Sequence, residues 1–146
     1  MSEIEASVAR VIEGYKAAVA ARDIDAFMRL YDPAVRVFDA WGVWSYEGIP
    51  AWKAPIQSWF ASDPDNRHVV TFEDVSSIST PAFSSVAAIV TYAMISAGGE
   101  PKGAMQNRLT WVLGPGEGGL TIVHEHTSVP VGFEDQKAIF QRPGKT

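Results

Sequence analysis

The sequence contains no cysteine. Disulfides, thiolate metal sites and cysteine nucleophiles are thereby excluded, and the fold must be held by packing and hydrogen bonds alone. Basic residues are scarce as well: 12 Lys and Arg stand against 17 Asp and Glu, a formal charge of −5. Nucleic-acid surfaces need clustered cations to displace phosphate counterions, so nucleic acid is not expected as a partner. Long apolar runs are missing too. The most hydrophobic stretch, Val86 to Ile95, is too short to span a bilayer and is interrupted by Thr91 and Tyr92. The first residues, MSEIEASVAR, are acidic where a secretory leader is basic and then apolar. No membrane partner and a cytoplasmic location are therefore expected. There are no repeats or low-complexity tracts, and 146 residues, 47% of them hydrophobic, suit one domain over 1–146.

What is present changes period along the chain. Ile4, Val8, Val11, Ile12, Tyr15 and Val19 recur at steps of three and four, which predicts an amphipathic helix whose inward stripe has one polar tip, the Tyr15 hydroxyl. Asp23 reads as the N-cap of a shorter helix with Ile24, Phe27, Met28 and Tyr31 on its stripe, ended by Asp32-Pro33. Val35 to Asp39 predicts a short strand, and Trp41 to Gly48 an irregular aromatic-rich loop. Ile49 to Ala61 has Trp52, Ile56, Trp59 and Phe60 at helical spacing, with Pro55 either kinking that helix or marking its first turn.

Downstream the period is two. Arg67 to Ser77, Ser84 to Ser96, Gly103 to Leu113 and Leu120 to Val129 read as strands, joined by short Gly- and Pro-containing links. Short links join antiparallel neighbours, so the order is helices first and a meander after, an α+β pattern with helices on one face of a curved antiparallel sheet. Both strand faces carry apolar residues: Val86, Ala88, Val90, Tyr92 and Met94 on one, Ala87, Ile89 and Ile95 on the other. One face is expected to cover the helices and the other to meet a second copy in a homodimer. Residues 132–146 read as a C-terminal extension that folds over the sheet or the partner.

The final strand, LTIVHEHTSVPV, carries the candidate chemistry. Strict alternation puts Ile122, His124, His126 and Ser128 on one face and Val123, Glu125, Thr127 and Val129 on the other. The two histidines, roughly 6.5 Å apart at Cα, suit acid–base work near neutral pH. Arg108 stands mid-strand and needs a partner if buried. If Gly114 opposes Leu120, Arg108 meets His126 and Gln106 meets Ser128, which makes a polar pocket floor; if Leu113 opposes Leu120, Arg108 faces Glu125 at a dimer surface. The first register is preferred, since it hides Trp111 and Val123 together. Asp39, in VFDAWG, becomes a base if buried near Trp41, Trp52 and Trp59; its bland alternative is a turn aspartate bonded to its own backbone. His124 and His126 with Asp39 or His68 do not make a closed ligand set, so no metal is expected. GPGEGG lacks the ending of a phosphate loop, and no cofactor is expected.

The element order and the wording IVHEHTSVP resemble the nuclear transport factor 2-like superfamily, and more closely its SnoaL-like and ketosteroid isomerase-like branch. The resemblance implies a cystatin-like, cone-shaped roll whose sheet wraps the first helix around an apolar pocket, often dimeric through the sheet. It also implies a base near Asp39 and an oxyanion-donating tyrosine near Tyr15. The strand Gly103 to Leu113 departs from the isomerases: it has Gln106, Asn107 and Arg108 but no carboxylic acid, which argues against steroid-type isomerisation. The expectation is a cofactor-independent enzyme of isomerase, polyketide cyclase or dehydratase type acting on an apolar carbonyl compound. Asp39 or His124 moves the proton, Tyr15 and Arg108 meet the oxyanion, and Arg108, His126, Gln106, Ser128, Tyr31, Trp41, Trp52 and Trp59 bind the substrate. The alternative is a non-catalytic ligand-binding or association module whose Arg108 and histidines hold a carboxylate.

Overall fold

The computed structural model describes residues 5–143; Ile4 and the last three residues lie outside that range. Helix α1 (Ala6–Ala21) buries Val8, Val11, Ile12, Tyr15 and Val19, the stripe that their spacing dictates. It ends at Arg22, which adopts a left-handed φ of 54°. That conformation is costly for a residue with a Cβ. Here it is offset, because the Arg22 guanidinium donates to the carbonyls of Phe60, Ser62, Asp63 and Asn66 and ties α1 to the far end of the third helix.

Asp23 caps α2 (Ile24–Met28), its Oδ1 accepting from the Ala26 N–H at 3.0 Å. Tyr31 is not on that helix. It opens strand β1 (Tyr31–Phe38), since the residue before Pro33 is pushed out of the helical region. The loop after β1 contains a two-residue strand, β2 (Tyr46–Glu47), paired to Arg36 and Val37. Helix α3 (Ile49–Ala61) has Pro50 in its first turn and Pro55 inside it, so Pro55 does not mark the start. Trp52, Ile56 and Phe60 face inward.

Strands β3 (Asn66–Ser79), β4 (Ser84–Ser96), β5 (Pro101–Gly116) and β6 (Gly119–Ser128) pair antiparallel in succession. The β1 strand then docks parallel on β6, giving a mixed, unclosed sheet of order β2-β1-β6-β5-β4-β3. Its inner face presents Val70, Val86, Val90, Leu109, Trp111, Leu113 and Ile122 to the helices. Each such fully buried side chain contributes roughly 1.5–3 kcal/mol. No helix among the described residues is long and apolar enough to cross a membrane.

The β5–β6 register contains one irregularity with a large effect. Arg108 opposes Ser128, Thr110 opposes His126 and Val112 opposes His124, but Leu113 then opposes Ile122, which leaves Val123 unpaired. This is a β-bulge, and it interrupts the two-residue alternation. Ile122, Glu125 and Thr127 are buried, while His124, His126 and Ser128 turn to the outer face. Beyond β6 the tail runs along the free edge of β5. The Gln106 N–H donates to the Phe140 carbonyl at 2.6 Å, the Gln141 side chain donates to the Ala104 carbonyl at 3.0 Å, and the Arg142 N–H donates to Gln106 Oε1 at 2.8 Å.

Candidate functional site

Between α1, α3 and the inner face of the sheet lies a cavity of about 660 Å³. Its walls are aromatic: Tyr15, Trp41, Tyr46, Trp52, Trp59 and Tyr92. Six polar side chains interrupt them: Asp39, His68, Asn107 and Glu125, with the hydroxyls of Ser58 and Ser62.

Glu125 is the centre of the arrangement. It is 2% exposed, and its Oε1 accepts from the Tyr31 hydroxyl at 2.6 Å and from the Trp111 indole N–H at 2.9 Å. Burial disfavours its anion and dominates, the two donors pull the other way, and the charge of Asp39 adds to the rise; the carboxyl is pushed up to about 7. A group that titrates there holds or releases a proton at neutral pH with little driving force either way.

Asp39 follows the end of β1, half-buried in the wall of the cavity. Thr127 Oγ1 donates to its Oδ1 at 3.0 Å and itself accepts from the Ala40 N–H at 2.9 Å. The Trp41 N–H reaches its Oδ2 at 3.3 Å, so both readings of this residue occur together: a turn aspartate and a cavity carboxyl. Burial raises its carboxyl above the ordinary range against the pull of those bonds. The Tyr15 hydroxyl lies 3.2 Å from that of Tyr92. Burial, first of all, holds both phenols above their usual range, so both stay protonated and able to donate. Asn107 Oδ1 is buried without a hydrogen-bond partner, an acceptor left over beside the cavity. His68 bonds the Ser62 carbonyl at 3.2 Å, and burial lowers its imidazole, keeping it neutral.

The set of side chains here overlaps only in part with the one that the sequence predicts. Trp41, Trp52 and Trp59 do line the cavity, with Tyr15 and Asp39. Tyr31 does not; it stands behind Glu125 and orients it. His124, His126, Ser128, Arg108 and Gln106 are corrected as a group, because they lie on the outer face of the sheet. The expected sharing of one face by Arg108, His126 and Ser128 is present, with Arg108 opposite Ser128 rather than His126, but that face points away from the helices. His124 bonds the Arg36 carbonyl at 2.8 Å through Nδ1, and Arg108 Nε donates to Ser128 Oγ at 3.0 Å. Gln106 donates to Thr91 Oγ1 at 3.1 Å. His126 borders an outer groove of about 630 Å³ with Arg36, Phe38 and Trp44, which shares Asp39 and Gly42 with the cavity. The physical reason is the bulge at Val123, which lets Ile122 face inward while the histidines that follow it face outward.

Glu125, Tyr92 and Asn107 were missed as site residues. A signal for Glu125 did exist: the inward polar tips of Tyr31 and Trp111 need an acceptor, and the strand beside Trp111 holds one carboxylate. Among the described residues no three His, Asp or Glu side chains gather as a metal site.

Among solved structures the chain is similar to an NTF2-like protein of unknown function from Pseudomonas putida KT2440, at 21% identity over 96% of each chain, with a TM-score of 0.82. It is also similar to ActVI-ORFA from Streptomyces coelicolor, at 11% identity over 84% of this chain and 94% of that one, with a TM-score of 0.74. A third likeness is to the association domain of C. elegans CaMKII, at 22% identity over 83% of this chain and 92% of that one, with a TM-score of 0.65. At these identities the likeness establishes the nuclear transport factor 2-like fold and nothing finer. No curated protein matches the chain by sequence. Residues 8–132 match the SnoaL-like domain. With its aromatic cone and mixed sheet, the chain belongs to the SnoaL-like domain family.

Proposed function

We propose that the protein binds an apolar carbonyl compound in the cone and moves a proton on the carbon next to that carbonyl, without a cofactor. One observation carries this reading: a buried carboxyl, Glu125, with its affinity for a proton set near neutrality, borders an aromatic cavity sized for a small molecule. Glu125 takes the proton from carbon, and the charge that develops on oxygen is met by the protonated phenols of Tyr15 and Tyr92. The proton then returns to a different atom, which is the common step of isomerases, cyclases and dehydratases. Asp39, which lines both the cavity and the outer groove, is the second carboxyl able to exchange that proton with water. This revises the expected catalytic set from Asp39, His124 and Tyr15 to Glu125, Asp39 and Tyr15 with Tyr92.

The test is solvent deuterium incorporation into 2-tetralone, an aryl-fused ketone with acidic hydrogens next to its carbonyl, followed by proton NMR. Glu125→Gln is expected to slow incorporation by at least about 100-fold, the usual worth of a positioned acid–base group, with binding intact. Loss in Asp39→Asn but not in Glu125→Gln would assign the base to Asp39. Equal incorporation by the wild type and both variants would leave a binding protein without proton chemistry. That second reading, a non-catalytic binding or association module, is favoured by one observation: Ala87 and Ile89 share the outer face of the sheet with Thr110 and Arg108, an apolar strip that a second copy of the chain can cover. Sedimentation of the wild type and of Ile89→Asp would detect such a homodimer and its disruption.

A further inference from the structure

The match to the family ends at residue 132, yet the residues after it bear on the cone. Phe140 stacks on Trp41 with ring centroids 5.2 Å apart and planes 4° from parallel. Trp41 is a wall of the cavity, and Phe140 is not. Beside Trp41 the loop is anchored by the Trp41 N–H bond to Asp39 at 3.3 Å and the Ala40 N–H bond to Thr127 at 2.9 Å, and four residues on by Arg36 Nε donating to Ser45 Oγ at 3.2 Å; none of these holds the indole ring itself. The ring behind it is therefore a main constraint on where the indole stands.

Phe140 is in turn held by its flanks. Its carbonyl accepts from Gln106, and two residues later the Arg142 guanidinium donates to Asp74 Oδ2 at 2.6 Å and reaches Glu73 Oε2 at 3.4 Å. That clamp joins the end of the tail to the β3 bulge, at Asp74 with its φ of 52°. We infer that the C-terminal tail is a working part of the binding site: Phe140 is a positioning residue that sets Trp41 as the outer wall of the cone, and Arg142 is the latch that keeps it there. This rests on the cone being the ligand site, and it deepens that reading by assigning control of ligand exchange to residues outside the family domain.

The stacked pair is flat and half-exposed, and its Trp41 ring is a solvent-facing part of the cavity lining. Removing Phe140 frees Trp41 to swing, so a bound aryl ketone should escape sooner. An aromatic pair of this kind supports a change of roughly three- to tenfold in the rate. The latch is a surface ion pair and is screened by salt, so release from the wild type should accelerate as ionic strength rises.

The probe is prodan, an aryl ketone whose emission reports a dry environment, displaced from the full-length protein by excess 2-tetralone in a stopped-flow instrument. Phe140→Ala is expected to release it three- to tenfold faster, Arg142→Gln about two- to fivefold faster as befits a surface ion pair, and Phe140→Tyr, which keeps the ring, to behave as the wild type. Salt should speed release from the wild type and leave Arg142→Gln unmoved, a response that a merely structural role would not produce. Unfolding midpoints of the variants check that the fold is intact, and the fluorine signal of Trp41 in 5-fluorotryptophan-labelled protein, assigned by Trp41→Phe, should lose its ring-current displacement in Phe140→Ala. Release at the wild-type rate from both tail variants, with binding intact, overturns this inference and leaves the proton-transfer reading standing. No binding of prodan by the wild type overturns the cone as an aryl ketone site, and this inference with it.

Discussion

Exchanging Glu125 for glutamine removes a proton site and changes little else, because the amide oxygen can still accept from Tyr31 and Trp111. In the unfolded chain this carboxyl has the ordinary value of 4.5; in the fold burial pushes it up to about 7. The folded protein therefore holds the proton more tightly. Between those two pH values the folded state binds more protons than the unfolded one, and stability falls as pH rises. The contribution is complete below the unfolded value and gone above the folded one, and its size is roughly 3 kcal/mol. In a chain of this length that is a shift of roughly 10 °C in the unfolding midpoint. The assay is urea unfolding of the wild type and of Glu125→Gln at pH 4.5, 5.5, 6.5 and 7.5. Subtracting the two curves cancels the other carboxylates, and the difference should decline across the series and level off above neutrality. Asp39, also raised by burial, adds a decline of the same sign that both proteins share. A difference that stays flat with pH would refute the claim that Glu125 is buried with a displaced affinity for protons.

Tyr31→Phe removes a donor that stabilises the Glu125 anion, so the inflection in a pH profile of deuterium incorporation should move to higher pH than in the wild type, at a stability cost of about 1–3 kcal/mol for the weakened network. The double variant His124→Ala with His126→Ala should incorporate deuterium at the wild-type rate, because both imidazoles lie on the outer face; a loss of 100-fold or more would return them to the site. Gly42 has a φ of 83°, and a Cβ there would stand 2.8 Å from the Tyr46 hydroxyl. Gly42→Ala should therefore cost at least about 1 kcal/mol, measured by urea unfolding, and should weaken prodan binding by displacing the loop that bears Trp41.

The helices and the four long strands could be read from periodicity because burial enforces it. Val8 to Val19 must share a stripe, and Ser84 to Ser96 shows its inward row, Val86, Ala88 and Val90, in plain alternation. The spacing of Tyr31 from Phe27 fits a helix, but the Asp32-Pro33 step decides for a strand. Which face of the last strand points inward was harder to read, since each face offers polar and apolar residues in turn. Two imidazoles and a serine look more like chemistry than a single glutamate between valine and threonine does. What settles the matter lies on other elements: Tyr31 on β1 and Trp111 on β5 both aim a donor at one carboxylate oxygen, and neither can be connected to Glu125 by local pattern.

The bulge gives that argument a further test. With Val123 present, Val112 opposes His124 and the next pair is Leu113 with Ile122, so the register steps by one residue at Val123. Deleting Val123 would make those two pairs consecutive, which is ordinary antiparallel pairing, with Ile122 inward, His124 outward and Glu125 inward again. The shortened protein should fold, about 1–2 kcal/mol less stable through lost packing, and it should keep the decline in stability between pH 4.5 and 7 that marks a buried Glu125. A strand that alternated strictly from Leu120 would behave in the opposite way: removing one residue would turn Glu125 out to solvent or drive Ile122 out of the core. Loss of the pH-dependent decline in a folded deletion variant would thus show that the bulge, rather than the Tyr31 and Trp111 donors, is what holds Glu125 inside the cone.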